Sequence, residues 1–269
     1  MKKIIYFLLL FSFIGCSNKN DDKIRISQHN LDDMGLSKPV SLREISDRLT
    51  DKDKKKTTSI SIYNGENIKS LDGIELFPIL ESLNIFDSKI KNLNDIQRKN
   101  LFIRSLFVES NEMEDVSNIV FLENLLILSL SNSEKLKSFP DIIHLKKLKS
   151  FDLYKCNGIN FDKLAENLPL GIQMIGLNSC DIKSLNDIKK LFKLNIKKFD
   201  LQGNLIREID FDMDYGAAEY IYMAGCPIGD KYIKWNDLDS EENPGYVINV
   251  KGVLFDFGPF QDEAWVIEE

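Results

Sequence analysis

Residues 196–209 read IKKFDLQGNLIREI, and the spacing of their apolar side chains decides the fold. Phe199 and Leu201 alternate with polar neighbours, the period of a strand that buries one face. Ile196 stands three residues before this pair and Ile206 five residues after it. Asn204 lies between, where the chain must leave the strand and a carboxamide can satisfy backbone groups on both sides.

The same arrangement recurs in both directions. Its apolar-x-apolar centres are Ile60/Ile62, Leu83/Ile85, Leu106/Val108, Leu128/Leu130, Phe151/Leu153, Ile175/Leu177, Phe199/Leu201 and Ile221/Met223. Successive centres are 23, 23, 22, 23, 24, 24 and 22 residues apart. The preceding apolar column holds Leu80, Ile103, Leu125, Leu148, Ile172, Ile196 and Ala218, with Thr57 its one polar member. The following column is unbroken from Ile68 to Ile228. One such unit cannot bury its own apolar edge, so stacked copies must share a core.

This register resembles the leucine-rich repeat, L-x-x-L-x-L-x-x-N/C-x-L, and in particular the short repeats of bacterial internalin-like proteins, over roughly residues 57–230. The resemblance implies an α/β solenoid of about eight coils, a horseshoe with a parallel sheet on its concave side. It also implies a protein that holds another molecule rather than transforming one. Return segments such as LNDIQRKNL and FPDIIHLKKL have helix-like apolar spacing and are expected to be short helices or turns on the convex side.

Open coil ends expose core and need covers. In residues 25–56, PVSLREISDRL places Ser41 and Glu44 as a capping box and Val40 and Ile45 as its hydrophobic staple. Leu42, Ile45 and Leu49 then share one face of a helical cap. In residues 231–269, YVINV-KG-VLFDF reads as a β-hairpin cap with Trp235 and Trp265 nearby. From Asp230 onward there are ten acids against three basic residues, which reads as a solvated acidic cover.

The ladder position three residues after the second strand apolar holds Ser88, Asn111, Ser133, Cys156, Cys180, Asn204 and Cys226. Three of the four cysteines are thereby structural, and free thiols are expected because ladder side chains run in parallel. A Cys156–Cys180 disulfide between neighbouring coils is the alternative in an oxidising compartment. The fourth, Cys16, follows Phe13-Ile14-Gly15. Lys2, Lys3 and a short apolar run precede it, making residues 1–15 a secretory signal too short to span a bilayer. The segment resembles a bacterial lipobox, which implies lipid on Cys16, residues 16–24 as a tether, and a place in the cell envelope. Ser17 rather than Asp after the cysteine points to the outer membrane.

The net charge of −7 gives no basic footprint for nucleic acid. His29 and His144 lack any metal-ligand spacing, and no nucleophile elbow or phosphate-cradling loop occurs, so no catalytic residue, metal or cofactor is expected. Function then falls to the concave face. Strand alternation turns Tyr63, Phe86 and Phe107 outward on the first three coils, Tyr154 on the fifth, and Tyr220 and Tyr222 on the eighth, with Glu109, Asp152 and Asp200 between. Exposed aromatics of this kind mark binding hot spots. The expected ligand is a protein partner. The alternatives are a glycan or peptidoglycan stacked on the aromatic rings, or a structural envelope lipoprotein with an unoccupied face.

Overall fold

The computed structural model describes residues 23–98, 102–228 and 247–258. Cys16 with its signal segment, Trp235, Trp265 and most of the acidic C-terminal stretch lie outside the described residues. Strands β1 (Ile24–Ile26), β2 (Thr57–Ile62), β3 (Ser82–Ser88), β4 (Ser105–Ser110) and β5 (Ile127–Ser131) are followed by β6 (Ser150–Tyr154), β7 (Met174–Asn178), β8 (Lys198–Asp200), β9 (Tyr220–Tyr222), β10 (Val247–Val250) and β11 (Val253–Asp256). They form one eleven-stranded sheet in the order β1 through β9, then β11, then β10, parallel except for the β10–β11 hairpin.

Eight of these strands, β2 to β9, are the eight repeats, paired in the register that the sequence periodicity sets. Ile60 lies beside Leu83, Leu83 beside Leu106, and so on to Phe199 beside Ile221. Both inward strand columns are fully buried in every coil. A parallel ladder repeats every ~4.8 Å, so each apolar side chain packs on its equivalents above and below. This is the leucine-rich-repeat solenoid.

Of the short helices or turns expected on the convex side, the two segments named, FPDIIHLKKL and the described part of LNDIQRKNL, form turns. Their backbone bonds run from residue i to i−3: Leu145 to Ile142 at 2.9 Å, Leu148 to Leu145 at 3.0 Å, Ile96 to Leu93 at 3.0 Å. The same steps link Leu71, Ile74, Phe77 and Leu80, and again Val116, Ile119, Leu122 and Leu125. Apolar residues strictly three apart suit such 3₁₀-type steps, whereas an α-helical stripe needs spacings of three and four. Among the described residues the one convex α-helix, α4 (Phe161–Asn167), occurs where the coil lengthens to 24 residues, and the Asn160 side chain caps it.

The N-terminal cover holds α1 (Gln28–Asp33), α2 (Leu42–Asp47) and α3 (Asp51–Lys56), but also β1, which adds a parallel strand beside β2. The capping expectation at α2 is met in part. Ser41 Oγ accepts the Glu44 N–H at 3.2 Å, whereas Glu44 Oε2 accepts from Val40 rather than from Ser41, at 2.8 Å. Val40 is 55% exposed, so its staple with the buried Ile45 does not form. At the other end β10 and β11 make the expected hairpin through Lys251 and Gly252, both at positive φ. β11 also continues the parallel ladder beside β9, which brings the cap into the sheet. No helix of the described residues is long and apolar enough to cross a membrane.

Candidate functional site

Just past each strand the chain must turn inward, and in six coils a residue in the left-handed region makes that turn. These are Asp87, Asn132, Lys155, Ser179, Gly203 and Gly225, with φ between 53° and 72°. Each stands immediately before a ladder residue, which it drives into the core. Ser88 Oγ donates to Glu109 O at 2.7 Å, and Ser133 Oγ to Ser131 O at 3.2 Å. Cys156, Cys180 and Cys226 donate Sγ–H to carbonyls of the preceding coil. Asn204 does most: its Nδ2 donates to Leu177 O and Leu201 O, and its Oδ1 accepts from Cys180 N and Ile182 N. All three cysteines are free and buried, and burial raises their thiol pKa values, to about 12 for Cys156.

Asn111 is the exception to the ladder reading. It is exposed, and Ser110 takes the inward place, donating to Ile90 O at 2.7 Å. The third coil lacks the left-handed residue, so β4 reaches its ladder residue one position sooner and the register with β3 shifts between Ile85 and Ser88. A spacing rule that counts residues from the strand cannot see that shift.

The outward columns are in place but far less open than alternation alone implies. Tyr63, Tyr154 and Tyr220 are half-buried, while Phe86, Phe107 and Tyr222 are buried. On neighbouring strands the rings pack on one another: Tyr63 stacks on Phe86 at 5.0 Å between centroids, and Phe86 meets Phe107 at 4.5 Å with the planes tilted by 33°. Rings held one ladder step apart use their faces on each other and leave edges outward. The stacking platform expected for a sugar is therefore not what these rings offer. Tyr220 and Tyr222 join the C-terminal cap, with Tyr220 Oη donating to Asp256 and Tyr222 Oη to Gly258 O. Tyr154 remains at the rim, with Lys155 Nζ 5.2 Å from its ring centroid.

The acids are also buried, and their chemistry changes accordingly. Ser129 Oγ donates to Asp152 Oδ2 at 2.8 Å, and Asn178 Nδ2 to Asp200 Oδ2 at 2.9 Å. Gln202 supports Asp200 through its N–H at 3.2 Å, and Asn132 Nδ2 donates to Glu109. Removal from water pushes Asp152 up to about 8, helped by the nearby Asp200, which itself rises to about 6. Burial raises Glu109 too, with Asp87 adding to the effect. The centre of the face is thus not the open anionic patch expected: Asp152 is mostly protonated at neutral pH. Gly176 separates Asp152 from Asp200 in the ladder, and a Cβ there would lie 2.1 Å from Asp152 Oδ1. Among the described residues no group of three His, Cys, Asp or Glu side chains is arranged to hold a metal ion.

By fold the chain is a leucine-rich-repeat protein, an assignment that rests on the ladder and its columns. No protein-family model matches it. It is similar to Protein SUPPRESSOR OF npr1-1, CONSTITUTIVE 1 of Arabidopsis thaliana, 28% identical over 149 residues, which make up 53% of this chain. The chain spans only 10% of that relative's length. Among solved structures it is similar to an internalin of Listeria monocytogenes, with TM-score 0.41 and 14% identity over 69% of this chain and 67% of that one. It is also similar to a leucine-rich-repeat protein of Leptospira interrogans, with TM-score 0.21 and 14% identity over 68% and 76%. A third, the TLR13–ssRNA13 complex, gives TM-score 0.35 and 18% identity over 63% and 32%. Likenesses this distant carry no argument about function.

Proposed function

We propose that this chain is a non-enzymatic scaffold that holds a protein partner against the concave sheet, anchored to the bacterial envelope by lipid on Cys16. The observation that carries the scaffold reading is the continuous parallel ladder itself, with Tyr63 and the Tyr154–Lys155 pair accessible beside its buried centre. Tyrosine and a cation on a rigid sheet supply contact area at small entropic cost, as binding hot spots do. Because Phe86, Phe107 and Tyr222 are buried, charges placed there test folding rather than binding.

The informative variant is Tyr63→Glu, Tyr154→Glu, Lys155→Glu in soluble residues 17–269, compared with wild type in partner capture. The expected result is a protein retained by the wild type and lost by the folded variant. Equal retention by both moves the site off this rim, and retention of nothing by either leaves the structural lipoprotein reading in its place.

The anchor is supported by Lys2, Lys3, the apolar run and Gly15-Cys16, with Ser17 favouring the outer membrane. Cys16→Ser is expected to move the protein from the membrane to the soluble fraction and abolish incorporation of labelled palmitate. A variant that stays membrane-bound ends that reading.

A further inference from the structure

Parallel strands all start on one edge of a sheet, so the residues that lead into β1 to β9 form a single border. Backbone hydrogen bonds join it from coil to coil. The Arg104 N–H donates to Glu81 O, Leu126 to Arg104, Lys149 to Leu126, Gln173 to Lys149 and Lys197 to Gln173, at 2.7–3.0 Å. In the third to seventh coils the border comprises residues 102–104, 123–126, 146–149, 170–173 and 194–197. It carries five cations (Arg104, Lys146, Lys147, Lys149 and Lys197) against one acid, Glu123, in a chain of net charge −7. Lys197 is offset by Glu219 at 2.9 Å, whereas Arg104, Lys146, Lys147 and Lys149 are in no ion pair among the described residues.

Two large apolar side chains stand among these cations. Leu170, at 69%, is the most exposed large apolar side chain among the described residues, and Phe102 is 55% exposed. Leu170 lies beside the lysines: a Cβ on the next residue, Gly171, would be 3.2 Å from Lys146 O and 4.0 Å from Lys149 Nζ. Phe102 stands on the same border beside Arg104, in the third coil. Neither side chain gains anything from facing water. Apolar tips set among lysines and arginine make the surface of a segment that lies in the interface of an anionic bilayer.

The chain also enters β1 at this border, where Lys23 Nζ meets Glu81 Oε1 at 3.6 Å. Cys16 precedes Ile24 by eight residues, a reach of up to about 28 Å. Ladder spacing puts β4 about 15 Å and β6 about 24 Å from β1, so a lipid on Cys16 lets the whole border meet the membrane. We propose that this border lies on an anionic phospholipid surface, its lysines on the headgroup phosphates and Phe102 and Leu170 in the interface. The reading rests on the lipid anchor above and says how the anchored body is turned. It directs the opposite edge, where β2 leads into Tyr63 and β6 ends in Tyr154 and Lys155, away from the bilayer and toward a partner. There cations meet acids, as Lys135 meets Glu112 at 2.6 Å.

Residues 17–269 keep the described core from Ile26 to Phe257 but carry no lipid, so they test the border alone. The measurement is sedimentation with vesicles, at low salt, of phosphatidylcholine alone and of equal parts phosphatidylcholine and phosphatidylglycerol. The wild type is expected to sediment with the anionic vesicles only. Lys146→Gln, Lys147→Gln, Lys149→Gln together should weaken binding about thirty-fold or more. The control Lys89→Gln, Lys91→Gln, Lys183→Gln removes the same charge from exposed sites beyond the strand ends and should cost a few-fold at most. In Leu170→Trp, anionic vesicles should add a blue shift, quenched by brominated lipid, beyond any change in the wild type. No sedimentation, equal binding to neutral vesicles, equal weakening by both triple variants, or a Leu170→Trp that stays in water overturns the proposal. Retention on heparin without vesicle binding assigns the border to a soluble polyanion and overturns it too. Labelled palmitate on Cys16 is read in a separate experiment, so the anchor and the border fail separately.

Discussion

Asn204→Ala is expected to be the most damaging single substitution in the ladder, lowering stability by about 3–5 kcal/mol. The side chain makes four hydrogen bonds, at 2.7 Å and 2.8 Å through Nδ2 and at 2.9 Å and 3.1 Å through Oδ1. Its removal strands Leu177 O and two N–H groups in the core between the sixth and seventh coils, and leaves Leu201 O with the weak Cys226 thiol donor. Each buried polar group without a partner costs about 1–3 kcal/mol, and partial relaxation keeps the total below the sum. The measurement is the urea midpoint together with hydrogen exchange. The midpoint should fall, and the Cys180 and Ile182 amides should exchange fastest relative to wild type. Cys156→Ala is the matched control, since its Sγ makes only long contacts of 3.6 Å and 3.7 Å to carbonyls. A midpoint no lower in Asn204→Ala than in Cys156→Ala would sink the idea that this carboxamide is the principal clasp.

Asp152→Asn is expected to be neutral in acid and stabilising in base. The folded-state pKa of Asp152, about 8, lies above the unfolded value of 3.8, so the folded protein prefers the proton. The stability contributed by the neutral acid is fully present below about pH 4 and is lost as pH rises through about 8. Asp200, raised to about 6, acts in the same direction over a narrower window. An asparagine mimics the protonated acid: its Oδ1 accepts the Ser129 hydroxyl and its amide stands where the acid proton would be. Each pKa unit is worth about 1.4 kcal/mol, and relaxation around a buried charge reduces the full shift, so a gap of about 2–4 kcal/mol is expected near pH 8. Thermal or urea unfolding of both proteins at about pH 4 and pH 8 measures it. Parallel pH profiles would show that Asp152 is ionised at no cost in the fold.

The aromatic residues show most directly how far sequence reasoning reached into the candidate site. Alternation along β3 and β4 places Phe86 and Phe107 on the outward side, and there they are. What alternation does not contain is the distance to the next ring. Packed at 4.5 Å, the two rings bury each other and cease to be an open surface. The same holds for Asp152. Its column was readable, but its protonation depends on Gly176 and Ser129, residues 24 and 23 positions away in the chain. Asn111 fails for a subtler reason, the missing left-handed turn in the third coil, which moves Ser110 into the ladder. A hint existed in the residue before each ladder position, where Asp, Asn and Gly recur, although Lys155 and Ser179 disguise the column.

The sequence by itself determined the solenoid. Eight copies of a period near 23, each with the same apolar columns, admit one way of burying those columns, and the parallel register follows because equivalent residues must stack. It also determined the hairpin at Lys251-Gly252, whose turn chemistry is local. Only the tertiary structure decided whether the convex spans became α-helix or 3₁₀-type turns, since the length left between strands limits helix nucleation. It likewise decided which outward side chains meet water and which carboxyl groups keep their protons. Periodicity fixes the direction in which a side chain leaves the backbone. Solvent exposure and charge state depend on what neighbouring coils place within a few ångströms, and that is set by contacts between residues far apart in the chain.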